Sequence, residues 1–193
     1  MDKLKTTDLL SLEEYDKQRE DIKKDLLSHK KNRSVLIGDN VVLLFEDYLT
    51  IKYQVQEMLR IEKIFNQKEI QEEIDAYSSL IPDGDNLKAT MLIMYPDVDE
   101  RKIMLNKLHN LENLIWLSID GSKKIIAVSD EDLESTRDEK TSAVHFLRFQ
   151  LSDIDKKSFK ETDDISIGIE HKEYGFETKL QKDIASALAK DLD

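Results

Sequence analysis

The chain has 193 residues, 36% of them charged and 39% hydrophobic, with only 5 Gly and 2 Pro; this excludes collagenous and low-complexity classes and suits one folded domain. Its 29 basic and 41 acidic residues leave a net charge of −12, which repels phosphate backbones and anionic lipid, so nucleic acid and membrane surfaces are poor partners. Cysteine is absent, which removes disulfides, thiolate metal sites, iron–sulfur ligation by this chain and cysteine nucleophiles.

The first twenty residues, MDKLKTTDLLSLEEYDKQRE, hold no apolar signal core, and no run of about 18 apolar residues follows anywhere, so a cytoplasmic location is expected. Ser11 and Glu14 have capping-box spacing, and Leu12, Tyr15, Arg19, Ile22 and Leu26 recur at helical intervals, predicting a helix over 12–31. SVLIGDNVVLLF predicts a hairpin around Gly38-Asp39-Asn40, with Val41 to Phe45 as a buried strand.

DYLTIKYQVQEMLRIEKIF lacks Gly and Pro and carries Ile51, Val55, Met58 and Phe65 on one face, predicting a helix of four to five turns. NQKEIQEEIDAYSSL repeats the logic with Ile70, Ile74 and Tyr77, so the two read as a helical pair joined at Asn66. IPDGDN ends this region, and LKATMLIMY is strand-like.

DVDERKIMLNKLHNL reads as a helix, and NLIWLSI and KKIIAVS flank Asp120-Gly121-Ser122 as a second hairpin. DEDLESTRDEK is charged enough to be solvated, as a short helix or an ordered loop. A strand, KTSAVHFLRF, follows; then come a short helix capped by Ser152 and a last strand, DDISIGIEHKEY. The chain closes with an amphipathic helix, about 177–192, on which Leu180, Ile184, Leu188 and Leu192 lie four apart.

Strands in hairpins and helices in pairs favour an α+β fold over a parallel series: a mainly antiparallel sheet with a long helix pair and terminal helices packed on it. One domain over residues 1–193 is expected, in which the C-terminal helix, about 177–192, could be peripheral.

Four histidines, His29, His109, His145 and His171, form none of the local zinc spacings, and no glycine-rich phosphate loop or GxSxG elbow occurs. Asp83-Gly84-Asp85-Asn86 resembles a calcium loop, but Met94 stands where an EF-hand needs its Glu. His145 takes an apolar position in its strand, and His171 extends the face of Ile165, Ile167 and Ile169. Two such rings could converge if their strands were neighbours. Arg148, on the other face with Val144 and Phe146, cannot lose its charge and calls for a carboxylate or an anionic ligand.

The partner expected for it lies on the long helix, where Glu62 projects into the apolar arc, Gln54 lies at its edge, and Glu57 can pair with Arg60 three residues on. Gln54, Glu57, Arg60, Glu62, His145 and Arg148 together form the candidate polar cluster. One reading makes it architectural, specifying a single packing arrangement. The other makes it an acid–base or metal-dependent enzyme site, with His145, His171 and Glu62 as candidate metal ligands. A third possibility is a small anion held by Arg60, Arg148 and Lys88.

Three stretches, YQVQEMLRIEKIF, QEEIDAYSSLIPDGDNLKATMLIMYPDVDER and KTSAVHFLRF, resemble an uncharacterised bacterial domain-of-unknown-function family of about this length. The resemblance covers about residues 13–171. That family is often encoded beside rubrerythrin and an iron–sulfur oxidoreductase of the heterodisulfide-reductase type. The want of any recognisable catalytic or cofactor motif favours an accessory or interaction protein, and the resemblance implies an association with redox or peroxide defence; it carries no catalytic residues across.

Overall fold

The structure, a computed structural model, describes residues 3–121, 123–129 and 141–193. The charged stretch DEDLESTRDEK and Ser122 of the second predicted turn lie outside the described residues.

After a 3-10 turn, α1 (Leu12–Lys31) leads into β1 (Ser34–Ile37) and β2 (Val41–Phe45), followed by α2 (Tyr48–Glu62) and α3 (Gln67–Ser78). Then come β3 (Asn86–Ile93), α4 (Val98–Lys107), β4 (Ile115–Ile119), β5 (Ile125–Ile126), β6 (Val128–Ser129) and β7 (Val144–Gln150). The chain closes with α5 (Asp153–Glu161), β8 (Ile165–His171), β9 (Tyr174–Lys179) and α6 (Lys182–Leu188). The fold is α+β, and every strand pairing within its sheets is antiparallel.

The strands divide between two sheets, ordered β1-β2-β3-β7-β6 and β5-β4-β8-β9. Ala127 is where the chain changes sheet: its amide is bound to the Ile115 carbonyl at 2.9 Å, between β5 in one sheet and β6 in the other. The second predicted hairpin is therefore present as β4–β5, but its return arm is shared out after two residues. The inward faces of both sheets meet in one apolar cluster that includes Ile37, Leu43, Leu87, Met91 and Phe149 from the first and Leu117, Ile167 and Ile169 from the second.

The first hairpin turns where the sequence indicates. Gly38 adopts φ +64°, and a Cβ there would stand 2.6 Å from the Tyr174 hydroxyl, so both the backbone and the neighbour call for glycine. That hydroxyl donates to the Ile37 carbonyl at 2.6 Å and accepts from the Asn40 and Val41 amides, tying β9 of one sheet to the β1–β2 turn of the other.

Two expectations for the C-terminus need correcting. Residues 177–179, taken for the start of a helix, complete β9, because a two-residue turn at Lys172 and Glu173 returns the chain alongside β8. The closing helix is not peripheral either: Leu180, Ile184, Leu188 and Leu192 are all buried in the main cluster.

Helices α2 and α3, with the segments around Leu4 and Ile81, build a second apolar cluster from Leu4, Ile51, Val55, Leu59, Ile74 and Ile81, against which Leu12 of α1 packs. Met58 is only half-buried and Phe65 is 71% exposed, because the buried arc of α2 runs through Ile51, Val55 and Leu59 instead. This arc is rotated by about 45° from the predicted one at 100° per residue. The helix also stops at Glu62, where Lys63 takes a left-handed conformation (φ 56°), so Phe65 never joins its face.

Arg33 joins this helical layer to the rest of the protein. Although it ends a basic run, it is only 3% exposed; it donates to the carbonyls of Phe45 and Glu46 at 3.0 Å each and forms an ion pair with Asp191.

Candidate functional site

Helices α1 and α2 run antiparallel, since Tyr15 and Arg19 reach Glu57 at one end while His29 reaches Asp47 at the other. The sequence sets this up with two capping boxes. Ser11 with Glu14 starts α1, and Asp47 with Thr50 starts α2.

At the first end, Glu57 is held on both oxygens. Arg19 reaches them at 2.8 and 3.0 Å, Tyr15 donates its hydroxyl at 2.6 Å, and Arg60 adds a bond at 3.1 Å. The Arg19 guanidinium, helped by Tyr15 and Arg60, holds the Glu57 carboxyl down at about 2 against the opposing effect of burial. Burial, reinforced by the Glu57 charge, pushes the Tyr15 phenol far up. Beside this group Gln56, 3% exposed, accepts from the Leu10 amide at 2.9 Å and donates to the Leu10 carbonyl at 3.1 Å, so its side chain acts as a second backbone for the approach to α1.

At the other end, His29 Nε2 lies 2.6 Å from Asp47 Oδ2, while Asp47 Oδ1 accepts the Thr50 amide. Arg33 stands 3.5 Å from the same Asp47 oxygen and turns its other side to Asp191. Burial pushes the Asp191 carboxyl up to about 6, with the Arg33 guanidinium pulling in the opposite direction.

Between these two closed ends the helices part, leaving a cleft of about 310 Å³. Its α1 wall is Tyr15, Ile22, Asp25, Leu26 and His29; its α2 wall is Leu49, Lys52, Tyr53 and Gln56, and Leu10 closes one end. The lining is largely apolar, and several polar groups in it are already engaged: Tyr15 by Glu57, Gln56 by Leu10 and His29 by Asp47. Asp25 and Lys52 differ, since neither has a hydrogen bond or ion pair among the described residues. Lys52 does act at longer range on Asp8, whose carboxyl is lowered chiefly by the Lys5 backbone and then by Tyr48.

The candidate cluster from the sequence is not assembled as expected. Gln54 and Glu62 are exposed, which corrects their expected burial: Gln54 falls outside the rotated arc, and Glu62 is the last residue of its helix. Glu57 and Arg60 do pair, with Tyr15 and Arg19 as their company. The Arg60 Nε atom is buried without a hydrogen-bond partner.

His145 and Arg148 lie on opposite faces of β7. The His145 ring meets the Thr141 hydroxyl at 2.8 Å and the Ser142 carbonyl at 3.0 Å, with the Glu112 carboxylate 3.9 Å away. Arg148 donates to Gln150 and stands across from Lys88 on β3 and Val128 on β6, so two of the three cations considered for an anion are cross-strand neighbours while Arg60 belongs to the helical layer. His171 is in the other sheet, where it accepts the Glu173 amide and meets the His109 carbonyl at 3.2 Å. Strands β7 and β8 are thus not neighbours, and no group of three His, Cys, Asp or Glu suited to a metal exists among the described residues.

Sequence reasoning missed His29, Arg33, Asp47, Gln56 and Asp191. One signal was available: Arg19 interrupts the otherwise apolar line of Leu12, Tyr15, Ile22 and Leu26, marking a place where α1 needs a buried carboxylate opposite.

The family model described as protein of unknown function, DUF3501, matches residues 3–192. The chain belongs to the DUF3501 family. The match includes the C-terminal helix, in keeping with that helix being part of the core. A crystal structure of a novel protein of unknown function from Burkholderia pseudomallei is similar over 100% of both chains, at 46% identity and a TM-score of 0.95. No curated protein matches. Among the described residues of this DUF3501 member, no helix is long and apolar enough to cross a membrane.

Proposed function

We propose that this DUF3501 protein is a cytoplasmic accessory protein that works by binding, with the cleft between α1 and α2 as its binding site. One observation carries the reading: an apolar recess of about 310 Å³ is held open between two ends locked by half-buried polar pairs. That volume lies at the small end of the range for ligand sites. The Glu57–Arg19 group and the His29–Asp47 pair keep the helices from collapsing onto each other, so the recess is prepared in advance and binding need not spend energy on ordering its walls.

The partners are nominated by the resemblance, not by the cleft: rubrerythrin and an iron–sulfur oxidoreductase of the heterodisulfide-reductase type, in redox or peroxide defence. The full-length protein, tagged and captured from cells that also produce these two, should retain at least one of them above an untagged control. A capture containing neither would reject the redox assignment.

A further inference from the structure

We propose that the α1–α2 cleft takes a small zwitterion with an apolar body, of the class of aliphatic and aromatic α-amino acids. This rests on the reading of the cleft as a binding site and adds the chemistry of its ligand. The interior offers Ile22, Leu26 and Leu49 to an apolar side chain, together with the ring of Tyr53.

The charges are what narrow the class. Asp25 on the α1 wall and Lys52 on the α2 wall line the same recess, yet no ion pair joins them to each other or to any described residue. His29 does not supply a further unbalanced charge, because Asp47 faces it at 2.6 Å. The recess therefore carries, on opposite walls, one carboxylate and one ammonium that are in no ion pair among the described residues, Lys52 acting only at longer range on Asp8.

A simple carboxylic acid would satisfy Lys52 but bring its charge towards Asp25, and a simple amine would do the reverse. A molecule bearing both groups close together, on an apolar stem, answers both walls at once and forms an alternating line of charges across the mouth. Lys52 is half-buried, so its interaction is less screened than that of a surface lysine, whereas exposed Asp25 contributes less.

The test is a titration of isotopically labelled protein, followed by amide chemical shifts, with four probes sharing one ring: L-phenylalanine, 3-phenylpropionate, 2-phenylethylamine and benzyl alcohol. The proposal expects shifts centred on Ile22, Leu26, Leu49 and Tyr53, and affinity for phenylalanine about tenfold or more above each of the other three. K52Q should abolish the advantage over 2-phenylethylamine, and D25N the advantage over 3-phenylpropionate; neither side chain makes a hydrogen bond or ion pair among the described residues, so the fold should persist. Equal binding of benzyl alcohol and phenylalanine would overturn the ligand class and leave the cleft as a binding site. No shifts from any probe, or from L-leucine, at millimolar concentration would overturn both.

Discussion

Glu57 and Arg19 meet as a two-pronged pair, with Nε at 2.8 Å from one carboxylate oxygen and Nη2 at 3.0 Å from the other. The pair fixes the spacing of α1 and α2 from the end opposite Asp47, with Tyr15 beneath it and only 12% of the Glu57 side chain exposed. Planar, bidentate geometry of this kind belongs to arginine, and lysine would not reproduce it.

Replacing Glu57 by Gln should therefore destabilise the protein by on the order of 3 kcal/mol at pH 7, since Arg19 and Arg60 would lose their common counter-charge. The folded pKa of about 2 is below the ordinary 4.5, so this stabilisation is fully present above pH 4.5 and is lost as pH falls through 2. Urea unfolding should show wild type and E57Q far apart at pH 7 and converging towards pH 2. A constant gap would contradict the assignment.

Asp191 should behave with the opposite sign. Its folded pKa, about 6, lies above the ordinary 3.8, so its proton-linked contribution is complete below pH 3.8 and is lost as pH rises through 6. Relative to D191N, wild type should therefore lose up to about 3 kcal/mol between pH 4 and pH 7. Thermal melts of both proteins across this window give the comparison; parallel curves would show that burial does not control this carboxyl.

Gln56 anchors the Leu10 peptide through both its donor and its acceptor. Q56A should cost about 1–3 kcal/mol, because two peptide groups lose their partner. Hydrogen exchange at the Leu10 amide should accelerate well beyond that of the α1 interior, and unchanged protection there would refute the anchoring role.

Tyr174 links the sheets through one hydroxyl that serves three backbone groups of the β1–β2 turn. Y174F keeps the ring and removes those bonds, with an expected loss of about 1–3 kcal/mol. G38A should be worse, since φ +64° and the 2.6 Å approach to that hydroxyl both oppose a Cβ. If chemical denaturation ranked the two variants in the other order, the turn would not be the constrained partner.

Much of the fold was legible in the sequence because its signals are local. The Ser11–Glu14 and Ser152–Asp155 boxes start α1 and α5, Gly38 sits in the first turn, and alternation assigns both faces of β7 correctly. The site was legible only in fragments. Glu57 with Arg60 follows from helical spacing, but Gln54 and Glu62 were given burial that belongs to Gln56 and Leu59, because apolar residues on two sides of α2 leave its orientation open.

By itself, then, the sequence determined most of the helices and strands, the caps of α1 and α5, the first turn and the α+β class from interactions a few residues apart, and its composition excluded cysteine chemistry. Only the tertiary structure decided the split into two sheets at Ala127, the Arg33–Asp191 pair across 158 residues, and the cleft between α1 and α2. The reason is physical: periodicity tells a helix or strand that one face must be covered, whereas which distant group covers it depends on how the whole chain closes on itself.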